Sequence, residues 1–347
     1  MDQGYRPGKF HLIHFGDTLK DSRYRIIRKL GYGCFSTELA ILDALSQSTS
    51  KHPGKNHVMT MVDSFEHKNP NGVHRCLAFD VMGPSRAGAL KESPKGVTNP
   101  SSERTQFPIW MVKSILYQTL LGIDFLHRSG VAHGDLQQGN LLFSVKDLNA
   151  PLTQYIDVDP RFCIKCSDLG GAFFLSDPPP TLVTPVALRS PELLFENKVN
   201  KVQDVWIFGC LIFELFTGRH LVLVTGMGNR EEVDDDHFLQ FNVILGPVPP
   251  SLRAKYPRAH IYYNEKGEQV KNYIGELPDG FDPGTIEASP TVEHAFDTAK
   301  PADMGVEEAH VIKGLLRWIL DYDPAKRPLA SEFLEHPWFS AVGSSLK

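Results

Sequence analysis

The octapeptide HGDLQQGN, His133 to Asn140, places a carboxylate at Asp135 and a carboxamide at Asn140 in one short glycine-containing loop. Further on, SDLGG, Ser167 to Gly171, sets Asp168 before a pair of glycines. Moving a phosphoryl group calls for a carboxylate beside the incoming hydroxyl and for oxygen ligands on Mg2+. Asp135 answers the first need, and Asn140 with Asp168 answers the second. Taken singly, an aspartate in such a loop is an ordinary turn former.

These groups need elements to hold them. YRIIRKL (24–30) reads as a strand, Glu38 to Leu45 as a helix, and HVMTMVDSFEH (57–67) with HRCLAFDVM (74–82) as two β-segments joined through Asn71 and Gly72. After Met82 the chain loosens. Ile109 to Arg128 then carries Ile109, Val112, Leu116, Leu120 and Ile123 at helical spacing and stops at Gly130. LLF (141–143) and FCIKC (162–166) read as short strands, and VWIFGCLIFELFTG (205–218) is apolar nearly all round, as a helix at the centre of a domain is. Helices over Asp236–Leu245 and Glu307–Leu320 complete the set; 85–107, 149–160 and 225–236 read as loose. A chain of 347 residues suits two lobes.

Strand, glycine turn, amphipathic helix, H-x-D-x-x-x-x-N, strand, D-x-G, S-P-E, buried helix and D-P-x-x-R-P follow one another in the order of the protein-kinase signature set. The chain resembles a eukaryotic protein kinase over nearly its whole length. YRPGKFHLIHFGDTLKDSRYRIIRKLGYGCFST (5–37), DDDHFLQFNVILGPVP (234–249) and HPWF (336–339) are similar to the SR-protein kinases, which phosphorylate Arg/Ser-rich splicing factors. The resemblance implies an α+β, bilobal fold: an extension over 1–20, a β-rich small lobe over 21–83 lacking two strands, a mainly helical large lobe over 84–340 and a tail over 341–347. It also implies ATP and Mg2+ as cofactors. Asp135 would orient or deprotonate the substrate hydroxyl; Asn140 and Asp168 would hold metal. Gly31, Gly33 and Ser36 match the loop covering the phosphates, and Phe79 to Met82, including Val81, match the hinge that pairs with adenine. Glu192 and Arg327 match a buried ion pair, Asp204 an anchor beneath the catalytic loop, and Asp236 a docking carboxylate for arginine-rich partners, although Val243 stands at a second acidic position of that groove. His133 reads as a packed core histidine.

The chain departs from the family at three places. Gly134 replaces the arginine that would grip a phosphorylated activation loop, so loop phosphorylation has little electrostatic basis; Ser176, Thr181 and Thr184 there read as surface hydroxyls. Gln137 occupies the place of a lysine near the transferred phosphate, and Pro185 that of its threonine contact. A neutral amide donates a hydrogen bond without neutralising developing charge, which slows transfer. The largest departure is KLGYGCFSTELAILDAL (29–45): only Thr37 separates the glycine loop from Glu38, which matches the helical glutamate of the family. One residue spans about 3.5 Å, so a strand pair with its lysine is absent. Thr37 suits a helix cap and Glu38 the positive helix end, but Glu38 loses its cation. Lys29 reads as a solvated lysine on an edge strand. A lost exon or a degenerate kinase would each produce this junction.

A net charge of −5 without a basic run argues against a nucleic-acid surface. Five scattered cysteines point to a reducing compartment, and the Cys163–Cys166 pair lacks further zinc ligands and reads as packed in a strand. MDQGYRPGKF at the N-terminus lacks the apolar region of a leader, and the most hydrophobic later run, VWIFGCLIFELF, is short and interrupted by Glu214, so a soluble protein is expected. These features fit a monomer of the cytoplasm or nucleus acting on protein, away from membranes. Two functions stand: a serine/threonine kinase for Arg/Ser-rich proteins, and a pseudokinase scaffold binding the same basic partners. A small-molecule phosphotransferase is disfavoured by S-P-E and D-P-x-x-R-P.

Overall fold

The computed structural model describes residues 14, 16–25, 36–85, 107–144, 162–224, 229–276 and 290–345. Within them the chain forms an α+β fold of two lobes. In the small lobe, β1 (Thr18–Leu19) pairs antiparallel with β2 (Tyr24–Arg25), and α1 spans Ser36–Gln47. A hairpin of β3 (Met61–Asn69) and β4 (Gly72–Phe79) comes next. It turns where the Asn71 N–H donates to Asn69 Oδ1 at 2.9 Å and Gly72 adopts φ +135°, a conformation open to glycine. Of the expected strand 24–30 only Tyr24 and Arg25 are described. Residues 26–35, with Lys29, Gly31 and Gly33, lie outside the described set.

The large lobe begins with β5 (Met82–Ser85), which pairs with β7 (Leu141–Ser144), itself paired with β8 (Ile164–Cys166). β5 thus straddles the lobe boundary expected at 83/84. The helix expected at 109–128 is α2 (Ile109–Arg128); β6 (Val131–Ala132) pairs with β9 (Phe173–Phe174). Then come α3 (Pro191–Glu196), the central α4 (Val202–Thr217), α5 (Arg230–Ile244), α6 (Pro250–Arg253), α7 (Ala259–Tyr262), α8 (Val292–Ala299), α9 (Val306–Ile319), α10 (Ala330–Glu335) and α11 (Pro337–Ser345). α5 begins six residues before the expected Asp236, inside the segment read as loose. The cause is a capping box: Asn229 Oδ1 accepts from the Glu232 N–H at 3.0 Å while Glu232 Oε2 accepts from the Asn229 N–H at 3.0 Å.

Every residue of α4 after Val202 is buried, and α2, α5, α8 and α9 pack around it. Phe195, Trp206, Phe238, Phe241 and Tyr256 interlock edge to face or stacked within this core. A second core is shared between lobes. Ile41, Leu42 and Leu45 of α1 meet Phe125, Leu126, Val131, Leu169 and Ala172 of the large lobe, with Met61, Leu77 and Phe79 packed against them. Neither β3 nor β4 contains a fully buried residue, and Val62 and Val73 are more than half exposed. Among the described residues, only Met61, Leu77 and Phe79 of the hairpin are packed against this core.

Candidate active site

The loop 133–140 hangs from α4. Asp204 accepts from the His133 N–H at 2.8 Å, the Gly134 N–H at 2.9 Å and His127 Nε2 at 2.9 Å. Burial alone would push its carboxyl up; His127, His133 and the backbone donors outweigh burial and hold it below the usual carboxylate range. His133 is fully buried, with Nε2 3.2 Å from the Ser167 carbonyl, and takes no direct position at the reaction site.

Asn140 Nδ2 donates to the Asp135 carbonyl at 2.8 Å and to Asp135 Oδ2 at 3.3 Å. Its own carbonyl accepts from the Ser167 N–H at 2.8 Å and Oγ at 3.0 Å, which ties the loop to the end of β8. With Nδ2 spent on Asp135, Oδ1 is the atom left for a ligand. Gln137 Nε2 lies 3.2 and 3.3 Å from the two Asp135 oxygens, so it caps this carboxylate. Burial raises the Asp135 carboxyl above its ordinary range and the Asp168 charge raises it further, against His133, Gln137 and Asn140. A carboxylate so poised accepts a proton more readily than a solvated one.

Asp168 is exposed and adopts φ +61°, ψ +71°, a left-handed conformation uncommon outside glycine. Its Oδ1 accepts from the Gly170 N–H at 3.4 Å. Leu169, next in the chain, is buried in the same core as Ile41, Leu42 and Leu45 of α1, which packs the Asp168 loop against that helix. Gly134 has φ +71°, and a Cβ there would stand 2.3 Å from the Gly171 carbonyl oxygen. The two loops therefore meet backbone to backbone.

On the small-lobe side, Gly31 and Gly33 lie outside the described residues. Ser36, expected in the phosphate loop, opens α1 instead, and Thr37, expected as the cap, sits inside its first turn. Glu38 is half-buried and has no cationic partner among the described residues; burial, then the Asp168 charge, raises its carboxyl. Phe79 ends β4 on the shared core and Val81 is exposed. Met82 belongs to β5, in register with Ser144, and Asp80 and Val81 link β4 to β5. Lys165 Nζ approaches Asp80 Oδ2 at 3.8 Å.

Elsewhere Arg327 Nη1 and Nη2 meet Glu192 at 2.8 and 2.7 Å, both side chains buried, with the guanidinium 4.9 Å from the centre of the Trp206 ring. The acidic run of α5 is not a solvated face. Asp235 is fully buried and accepts from Tyr256 at 2.6 Å, Tyr262 at 2.8 Å and Arg258 Nε at 2.9 Å; against burial, Arg258 and the two phenols hold its carboxyl low. Asp234 faces Arg189 at 3.7 Å, and Asp236 Oδ1 accepts from Gln240 at 3.1 Å. Ser176 and Thr181 are exposed, but Thr184 is buried and its hydroxyl donates to the Gly134 carbonyl at 2.7 Å, which overturns its reading as a surface group. Gln138 donates to the buried Glu214, which also accepts from His220. Cys163 and Cys166, at β8, are free thiols, and burial pushes Cys166 up to about 12.

Sequence reasoning overlooked Thr184, Asp235 and Glu214. Glu214 interrupting an apolar helix was the one readable signal, since a charge on a buried face needs a partner.

The family model for the protein kinase domain matches residues 26–339. Among curated proteins the chain is 26% identical to "Serine/threonine-protein kinase SRPK" of Physarum polycephalum, over 98% of this chain and 91% of that protein. It is 27% identical to "Dual specificity protein kinase CLK2" of Mus musculus, over 96% of this chain and 67% of the relative. "Protein kinase dsk1" of Schizosaccharomyces pombe (strain 972 / ATCC 24843) is 23% identical over 98% of this chain and 85% of its own length.

Proposed function

The chain belongs to the protein kinase family, and from that premise we propose that it transfers the γ-phosphate of ATP to serine or threonine hydroxyls of Arg/Ser-rich proteins. The carrying observation is the bonded pair Asp135–Asn140, beside an Asp168 close enough for its charge to raise Asp135. Asp135 orients the incoming hydroxyl and receives its proton, and Gln137 holds that carboxylate in place. Asn140 Oδ1 and the Asp168 carboxylate are hard oxygen donors of the kind Mg2+ takes, and so fit that ion. Bound there, Mg2+ would neutralise charge on the phosphates. No described lysine takes up the nucleotide charge beside Glu38, which supports slow turnover.

Mg-ATP should raise the melting temperature of the purified chain, and radiolabelled phosphate should pass to an Arg/Ser peptide in wild type but not in Asp135→Asn. Absence of both the shift and the transfer would reject the proposal. A thermal shift without transfer would favour the scaffold reading, for which the specific support is that Glu38 has no cationic partner among the described residues.

The names of the SRPK and CLK relatives support a kinase of that type. For the substrate, the α5 carboxylates offer less free charge than their number suggests, because Asp235 is internal and Asp234 is shared with Arg189. Binding of an Arg/Ser peptide should be weak and should decline with salt; salt-insensitive binding would remove the electrostatic part.

A further inference from the structure

Between α5 and α8 the chain carries a cation that the catalytic site does not use. Arg253 ends α6, and its guanidinium carbon lies 4.5 Å from the centre of the Tyr263 ring. Nη1 donates to the Gly267 carbonyl at 3.1 Å. Gly267 adopts φ +79°, and a Cβ there would stand 2.5 Å from Arg253 Nη2, so the turn admits the guanidinium because it carries no side chain. The support is itself fixed. The Tyr263 hydroxyl donates to Asn242 Oδ1 of α5 at 2.7 Å. Asn264 closes the turn, its N–H donating to the Glu268 carbonyl at 3.0 Å and its Oδ1 accepting from the Glu268 N–H at 2.9 Å. The neighbouring cations Lys255 and Arg258 are spent, on Glu196 and on Glu231 with Asp235, whereas Arg253 has no carboxylate partner among the described residues. It lines instead an open recess of about 530 Å3, together with the apolar Pro250, Ala254 and Ala259 and the polar His260 and Glu265.

We propose that this recess is a docking site for an acidic segment of a partner protein, in which an Asp or Glu carboxylate pairs with Arg253. The occupant follows from charge. A guanidinium presents a planar fork of N–H donors that matches the two oxygens of a carboxylate. Stacking on Tyr263 and the bond to Gly267 set that fork before a ligand arrives, so little side-chain freedom is lost on binding. A phosphate monoester offers similar oxygens with about −1.5 to −2 charges. Glu265 lines the same recess, and its repulsion weighs more against a dianion than against a carboxylate. Pro250, Ala254 and Ala259 add apolar surface for the residues that flank the acidic one. The sign is opposite to that of the Arg/Ser peptide proposed as substrate, and none of these residues belongs to the catalytic loop, so the inference stands apart from the kinase reading.

The full chain would be titrated against a short fluorescent peptide of glutamate and leucine, its glutamine–leucine counterpart and its phosphoserine–leucine counterpart, with binding read by anisotropy. Wild type should bind the glutamate peptide on the order of tenfold tighter than the glutamine peptide, and the difference should shrink as salt rises. Arg253→Gln should remove the preference, while Arg253→Lys, which keeps the charge and loses the fork, should retain only part of it. Glu265→Gln should tighten binding of the glutamate peptide, a gain that damage to the fold would not produce, so the proposal stays testable if an Arg253 variant fails to fold. Equal binding of glutamate and glutamine peptides by wild type, a preference that survives Arg253→Gln, or weaker binding in Glu265→Gln would overturn the site. Tighter binding of the phosphoserine peptide than of the glutamate peptide would overturn the carboxylate assignment and give the recess to phosphorylated partners.

Discussion

Asp135 is a carboxylate partly withdrawn from water and bonded by two neutral amides, Gln137 and Asn140, with no lysine bonded to it among the described residues. Its replacement by Asn should lower phosphate transfer by at least about a hundredfold, with nucleotide affinity preserved, because the lost group accepts a proton without touching the nucleotide. Gly134→Ala should destabilise the fold by roughly 1–3 kcal/mol, since φ +71° strains any side chain and the Gly171 carbonyl blocks the Cβ; a denaturant midpoint equal to wild type would show that Gly171 yields freely. His237 is a different case. It is fully buried on α5, 4.3 Å from the Phe241 ring centre, and burial, with Arg189 adding, pulls it down to about 3. Between the ordinary histidine value of about 6.5 and that lower one, the unfolded chain binds a proton that the folded chain refuses. Stability should therefore fall as pH drops through this window, by about 1.4 kcal/mol per unit from this site, and His237→Phe should flatten the slope. Asp135, Asn140 and Asp168 were legible in the sequence because transfer chemistry ties residue type to spacing. Thr184 was not, because its burial depends on which loop crosses beneath it, a fact that lives in tertiary structure.

Among the elements, α1 carries a charge, Glu38, that has no cationic partner among the described residues. Glu38 has a raised carboxyl, so its protonated form is favoured in the fold: that contribution is fully present below the unfolded value and lost as pH rises through the folded one. At neutral pH the ionised group is a cost, and Glu38→Gln should raise the urea midpoint, with a gain in unfolding free energy of less than about 1 kcal/mol because the site is half open to water. A lower midpoint would reveal a cation that α1 depends on. α2, α4 and the β3–β4 hairpin were readable from period and turn chemistry, since each buries one stripe or all of its surface, or turns at a glycine. α5 was cut short because REEVDDD, acidic and weakly apolar, reads as loop until Asn229 and Glu232 are seen to cap each other.

In the whole molecule the two lobes differ in independence. The large one has its own core, pinned by Glu192–Arg327; breaking that pair with Arg327→Leu should cost about 3–5 kcal/mol, since it leaves a buried carboxylate unpaired, and a stability within about 1 kcal/mol of wild type would mean water reaches Glu192. The two-lobed architecture was legible from motif order, which spans both lobes. The sharing of the second core was not, because Leu169 and Phe125 carry no mark in sequence that they meet Ile41. That meeting has a further bearing on the abrupt junction before Glu38. Over residues 38–47 of α1 the fully buried residues begin at Ile41, three residues beyond Glu38. A longer message read across codons 36 to 38 could graft a strand pair onto the outer end of this helix and leave the lower half of the enzyme unrepacked. Short and long products of such a gene would then be interchangeable everywhere except at the roof over the nucleotide.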